Sequence, residues 1–389
     1  MIDGTWDPAF GEIADLLDRQ LGGAGRGGAA ASVYWRGTKV VDIWGGFADD
    51  DGTPWAEDTM CMSFSTTKGV TATALHICVD RGLLDYDDLV SKHWPEFARE
   101  GKEPITVRHV LAHEAGLYDV VSMLDSPEQL LDWNAMIAAI ERSRPAFEPG
   151  TANGYHAVTF GYLVGELIAR VSGRGISEFV QTEIAEPLGL DGCFVGLPSE
   201  ELQRVSPMML AADASITAGS GALGELAAAM GYELSPERVE AALATKVARD
   251  VMLDPASLAY PIPAANGVFT ARSLARMYAA LAAGGELDGV RLLSADTLAR
   301  ATEVQNDRPD LVIVFPMHWR LGYHLVFTTA GVLPNGFGHS GLGGSGGWAD
   351  PDRQLAVAMT VNRMGNSITA DDRFMAIGSA AVQVVDAHP

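Results

Sequence analysis

Positive charge is scarce in this chain. Lysine and arginine number 27 against 50 acidic residues, a formal net charge of -23. A nucleic-acid or anionic-membrane surface is held through basic residues, so that balance argues against both as partners. Cysteine is scarcer still. Cys61, Cys78 and Cys193 form an odd, scattered set without metal-ligand spacing, expected to be reduced and mostly buried thiols. Cys61 lies near the stretch singled out below, but no histidine accompanies it, so it reads as a core residue. No run of about 18 apolar residues appears, which leaves no candidate spanning helix. The first residues, Met1 to Asp7, lack the basic start and apolar centre of a secretory leader, so a cytoplasmic location is expected. What remains is the composition of a globular protein, 48% hydrophobic and 20% charged, long enough for more than one structural unit.

The scarcity of lysine gives weight to one of the five. Only Lys68 has a serine three positions before it, and chance placement predicts less than one such pair. Phe64-Ser65-Thr66-Thr67-Lys68-Gly69-Val70 sits between the strand-like Asp42–Gly46 and an apolar run from Val70 to Val79 with helical spacing. Residues three apart share a helix face, so the amine reaches the hydroxyl. A serine needs a neighbouring base to act as nucleophile. A lysine can be that base once burial lowers its pKa from about 10.4. The same residues also fit a helix cap followed by a surface lysine.

Along the chain, Pro8–Leu21 reads as an amphipathic helix. Gly22 to Gly28 reads as a flexible turn, with no strand before it to make a phosphate loop. Ala29–Trp35 and Lys39–Trp44 read as a hairpin turning at Arg36-Gly37-Thr38. A helical middle follows, with segments at 127–143, 157–172, 176–184, 237–243 and 273–283. Strand character returns at Leu311–Phe315 and Leu321–Phe327. Gly338–Gly347 and Leu355–Val361 read as a further hairpin, and a helix at Arg373–Val385 closes the chain. The expected class is α+β: a central antiparallel sheet from both chain ends, flanked by helices, with a mostly helical insertion. Residues 1–95 with 305–389 form the sheet unit and 96–304 the helical one. A ligand site is expected in the cleft between them.

Other residues carry chemistry. Tyr155, on a loop after Glu148-Pro149-Gly150, can pass a proton to a leaving group if Lys68 lowers its pKa, and the adjacent His156 is a rival acid or base. Both also fit packing roles. The glycine-dense stretch Phe337–Gly347 points to close backbone approach, so a strand edge there can offer an N–H to an oxyanion alongside the Ser65 N–H. Gly343-Gly344-Ser345-Gly346-Gly347 fits the Gly-x-Ser-x-Gly elbow, but turn residues follow it rather than a helix, and the only later histidine is His388. His109 and His113 have metal-compatible spacing without the intervening glutamate or a third ligand, so a structural role is expected.

Ser65-Thr66-Thr67-Lys68, then Tyr155, then His339-Ser340-Gly341 resemble the serine β-lactamase-like superfamily. The likeness is greatest to the branch of class C β-lactamases, D-alanyl-D-alanine carboxypeptidases and family VIII carboxylesterases. Ile105–Leu111 with Ala115-Gly116-Leu117, Phe147–Gly150, Pro187–Leu190 and Gly284–Gly289 extend it from about Phe10 to Val385. The resemblance implies that Ser65 becomes acylated, that Lys68 and Tyr155 share the acid and base work, and that the Ser65 and Leu342 N–H groups form the oxyanion hole. His339, Ser340, Gly341 and His156 would support the substrate, with no cofactor and no metal. Two departures matter. Tyr-x-Asn is here Tyr155-His156-Ala157, and Lys-Thr-Gly is here His339-Ser340-Gly341. Both shift the expectation from β-lactamase towards an esterase on small neutral substrates. The oligomeric state stays open.

Overall fold

Alternating apolar residues from opposite ends of the chain build one sheet. The computed structural model describes residues 2–23, 27–209, 228–229, 231–364 and 372–388, so positions 24–26 of the glycine-rich turn lie outside the described residues. Seven strands pair antiparallel: β1 (Ile2–Trp6), β2 (Gly28–Trp35), β3 (Thr38–Gly46), β4 (His324–Thr328), β5 (Gly331–Ser340), β6 (Gly346–Asp350) and β7 (Leu355–Val361). Their spatial order is β1-β3-β2-β7-β6-β5-β4. The two chain ends meet in the β2–β7 ladder, from Leu355 opposite Trp35 to Val361 opposite Ala29. Arg36 and Gly37 turn the first hairpin with φ of 51° and 76°, the left-handed pair whose twist matches the flanking strands.

Five helices position the site: α1 (Gly11–Gly23), α2 (Thr67–Asp80), α3 (Thr159–Ser172), α4 (Ala271–Ala282) and α5 (Asp372–Ala387). α1 and α5 cover one face of the sheet, where Ile13, Leu17, Phe374 and Ile377 meet Val33, Ile43 and Val357. α4 covers the other face, against β2, β6 and β7. It was expected to close the helical middle. Its apolar stripe at Leu274, Met277, Tyr278 and Leu281 instead joins the core to Tyr34, Ala356 and Ala358. α2 is buried from Thr67 to Val79 and packs on α3. It therefore runs through the interior rather than over a surface.

Three local expectations are corrected, and one strand lies where none was expected. The first strand, β1, was not anticipated: it is an exposed edge strand carrying Asp3 and Gly4, both poor strand formers. Leu311–Phe315 is not a strand. The Asp310 carboxylate captures the Val312 and Ile313 N–H groups, and Val314 turns at φ 61°, so side-chain capture replaces the ladder. Gly338–Gly347 is not one strand: β5 ends at Ser340, Gly343 and Gly344 take positive φ, and β6 starts at Gly346. The segment 127–143 divides into a 3-10 turn and an α-helix, Trp133–Arg142.

Candidate active site

The chain enters α2 through a tight 3-10 turn, Phe64–Thr66, in which Phe64 holds φ at 44°. A bulky residue seldom adopts the left-handed region, and such strain concentrates at functional turns. The turn presents the Ser65 hydroxyl outward. Lys68, one turn on, is fully buried, with its Nζ 3.2 Å from Ser65 Oγ, 2.6 Å from the Ala157 carbonyl and 2.9 Å from the Ala264 carbonyl. None of these partners is a carboxylate. Burial without an anion holds the amine well below its usual pKa of 10.5. A neutral amine has two hydrogens and one lone pair. The two carbonyls can only accept, so they take the hydrogens, and the lone pair is left facing the Ser65 hydroxyl. Such an amine can remove that hydroxyl's proton.

Tyr155 reaches the same oxygen from the other side, its phenol donating to Ser65 Oγ at 2.8 Å. Burial raises the phenol pKa above its ordinary value, with Asp310 adding to the rise and the Ser65 hydrogen bond opposing it. The expectation that Lys68 lowers the Tyr155 pKa is therefore corrected: burial raises it, and the phenol keeps its hydrogen on the Ser65 oxygen. His156 does not reach Ser65. Its Nε2 accepts the Leu117 N–H at 3.0 Å, it stacks on His113, and burial pulls its pKa down to about 3. The geometry makes it a packing residue behind Tyr155.

The end of β5 closes the site. His339 is buried, with Nδ1 2.9 Å from the Ser340 carbonyl, and burial holds its pKa well below the usual 6.5. The Ser340 N–H donates to His324 Nε2 at 3.0 Å. Gly341 lies so close to the Ser65 turn that a Cβ would stand 2.2 Å from the Ser63 carbonyl oxygen. Leu342 follows and lines the same pockets as Ser65. Among the described residues, neither the Ser65 N–H nor the Leu342 N–H has a main-chain acceptor. Two pockets open from Ser65, and Leu243 and Leu342 line both. One is apolar, with Phe64, Val158 and Met252. The other holds Tyr155, Met317, Trp319, His324 and His339.

Ser345 is not in the site: it is buried, and its Oγ accepts the Val361 N–H at 3.1 Å. His109 caps its own helix with Thr106, as a structural residue would. Among the described residues, no three metal-ligating side chains cluster. The three cysteines are free and buried, with Cys61 pushed up to about 12 by burial. No described helix is long and apolar enough to cross a membrane. Sequence reasoning did not place His324, Asp310 or Trp319 in the site. Trp319 stacks on Tyr155 with ring centroids 5.5 Å apart and planes 7° from parallel. An aspartate directly before an apolar run was the available signal for Asp310, since such side chains capture following N–H groups.

The chain is 38% identical over 385 residues to "Esterase/beta-lactamase LipL" of Mycobacterium tuberculosis, covering 96% of this chain and 86% of that protein. The crystal structure of a family VIII carboxylesterase superposes with TM-score 0.86 at 34% identity, covering 99% of this chain and 100% of that one. A penicillin-binding protein homologue from Caulobacter crescentus gives 0.87 at 35% identity, over 99% and 100% of the two chains. The beta-lactamase family model matches residues 13–381. With the Ser65, Lys68 and Tyr155 geometry and the sheet built from both chain ends, that match assigns the chain to the beta-lactamase family.

Proposed function

We propose that this protein is a serine carboxylesterase acting on short acyl esters through an acyl-enzyme on Ser65. The observation that carries the reading is the buried, anion-free Lys68 amine beside the Ser65 hydroxyl. Ser65 Oγ attacks the ester carbonyl carbon as its proton passes to Lys68. The Ser65 and Leu342 N–H groups hold the developing oxyanion. Tyr155 gives its proton to the departing alkoxide and takes the Lys68 proton in its place; water then adds to the acyl carbonyl as its proton passes to Lys68, and that proton returns to Ser65 Oγ as the acid leaves. The apolar pocket suits the acyl group. The pocket beside Tyr155 suits the alcohol, because the proton donor stands there. A neutral His339 offers no fixed positive charge for a carboxylate, which favours neutral esters.

The test is hydrolysis of p-nitrophenyl butyrate together with intact mass after fluorophosphonate treatment. Ser65→Ala should abolish both turnover and labelling, and turnover that survives the substitution overturns the proposal. The likeness to the Mycobacterium esterase/beta-lactamase supports a second reading, β-lactam hydrolysis on the same serine. Comparing kcat/KM for a chromogenic cephalosporin with that for the ester separates the two.

A further inference from the structure

Behind Tyr155 stands a buried carboxylate with no cationic partner among the described residues. Asp310 is 2% exposed. Its Oδ1 accepts main-chain N–H groups from Tyr155 at 3.1 Å, Val312 at 2.8 Å and Ile313 at 3.1 Å. Its Oδ2 accepts from the Asn153 amide at 3.0 Å and the Trp319 indole N–H at 3.1 Å. Burial raises the Asp310 pKa, and the hydrogen bonds from these donors oppose that rise; because all five partners are donors, no position remains for an acid proton, and the geometry holds the group as the anion. One side chain thus grips the main chain of the phenol-bearing residue and the ring stacked on that phenol.

We propose that Asp310 is a positioning residue for the proton donor, clamping Tyr155 and Trp319 into one wall so that the phenol stays on the Ser65 oxygen. The inference rests on the esterase reading and deepens it by assigning a residue to the leaving-group step. Geometry supplies one part. The carboxylate sits on the Tyr155 main chain, where loss of a donor pair lets the loop drift, and small misplacements of a reacting group cost rate steeply. Charge supplies the other. The titratable groups around the phenol are Lys68, with Nζ 4.8 Å from the ring centroid, His113 at 5.1 Å, His339 at 6.2 Å and the neighbouring His156. Burial pulls the pKa of all four down, away from the charged form. Asp310 stands behind the ring as a carboxylate, and an anion behind a phenol opposes loss of its proton.

The experiment compares an ester that needs its leaving group protonated, ethyl butyrate, with one that does not, p-nitrophenyl butyrate. Asp310→Asn keeps the shape, removes the charge and sets an amide against an N–H donor. Expected is a kcat loss on ethyl butyrate that exceeds the loss on the nitrophenyl ester by roughly tenfold or more, the scale of a displaced general acid. In a Tyr155→Phe background the same substitution should add no further loss on ethyl butyrate. Equal losses on both esters, or losses that multiply with those of Tyr155→Phe, overturn the proposal. If Asp310→Asn does not fold, Trp319→Phe is read the same way: it removes one donor from the clamp and keeps the ring, and an equal loss on both esters again overturns it. A wild-type protein that cleaves neither ester speaks against the esterase reading itself.

Discussion

At the scale of single residues, the account turns on Lys68. An ordinary lysine, with a pKa of about 10.4, is almost wholly protonated at neutral pH and cannot act as a base there. Lys68 is held well below 10.5 by burial, and Tyr155 is held above 10.0. The sign follows for each group. The amine must lose its proton, so kcat/KM climbs with pH through the lowered Lys68 value. The phenol must keep its proton, so activity declines only above the ordinary phenol range. The expected profile of kcat/KM against pH is a plateau that is already level well below 10.5. An arginine cannot give up its proton at any of these pH values, so Lys68→Arg should lower kcat by about a thousandfold, within the range for a lost general base. A profile still rising near pH 10, or an active arginine variant, contradicts the assignment. Part of this was legible beforehand: a serine and a lysine one turn apart, ahead of an apolar helix, offer a buried amine as one of two readings, the other being a helix cap with a surface lysine. Asp310, His324 and the placement of Trp319 were not. Their contacts to Tyr155 and to Ser340 join residues more than ten positions apart, which periodicity along the chain does not encode.

At the scale of elements, the turn before α2 and the end of β5 form one unit. Phe64 at positive φ aims the serine, and Gly341 lets β5 approach the turn from the other side. Gly341→Ala places a methyl against the Ser63 carbonyl, and main chain cannot yield as a flexible side chain does. It should destabilise the fold by about 1–3 kcal/mol and lower kcat by displacing the Leu342 N–H. Denaturant unfolding and steady-state kinetics check both effects, and a variant of unchanged stability and kcat contradicts the close approach. Glycine density at 338–347 announced crowding correctly. It did not announce the reversal inside the segment, because glycine marks a bulge and a turn alike. The α4 helix shows the same limit: its amphipathic stripe was plain, but a stripe does not say whether a sheet or another helix covers it.

At the scale of the whole molecule, charge and composition set what can be measured. A net charge of -23 works against compactness through self-repulsion. The ion pairs that salt would weaken are mostly exposed at one partner or both, such as Arg144–Glu100, and pairs of that kind contribute little. Raising ionic strength from about 0.01 to 0.15 M shortens the screening length from about 30 to 8 Å, so Tm should rise by a few degrees. A fall on adding salt would mean that the ion pairs outweigh the repulsion. The sheet class and its construction from both ends were readable because alternating segments sat at the termini and helical ones between. The edge strand β1 was not, since it is short, polar and held by one neighbour.

Composition also makes the decisive test practical. With only five lysines in the chain, 13C labelling at lysine Cε gives a spectrum of five signals, and Lys68→Arg identifies the one of interest. A pH titration should show that signal titrating well below 10.5. A Lys68 signal that titrates at 10.5 or above would contradict the claim that this amine is the base for Ser65.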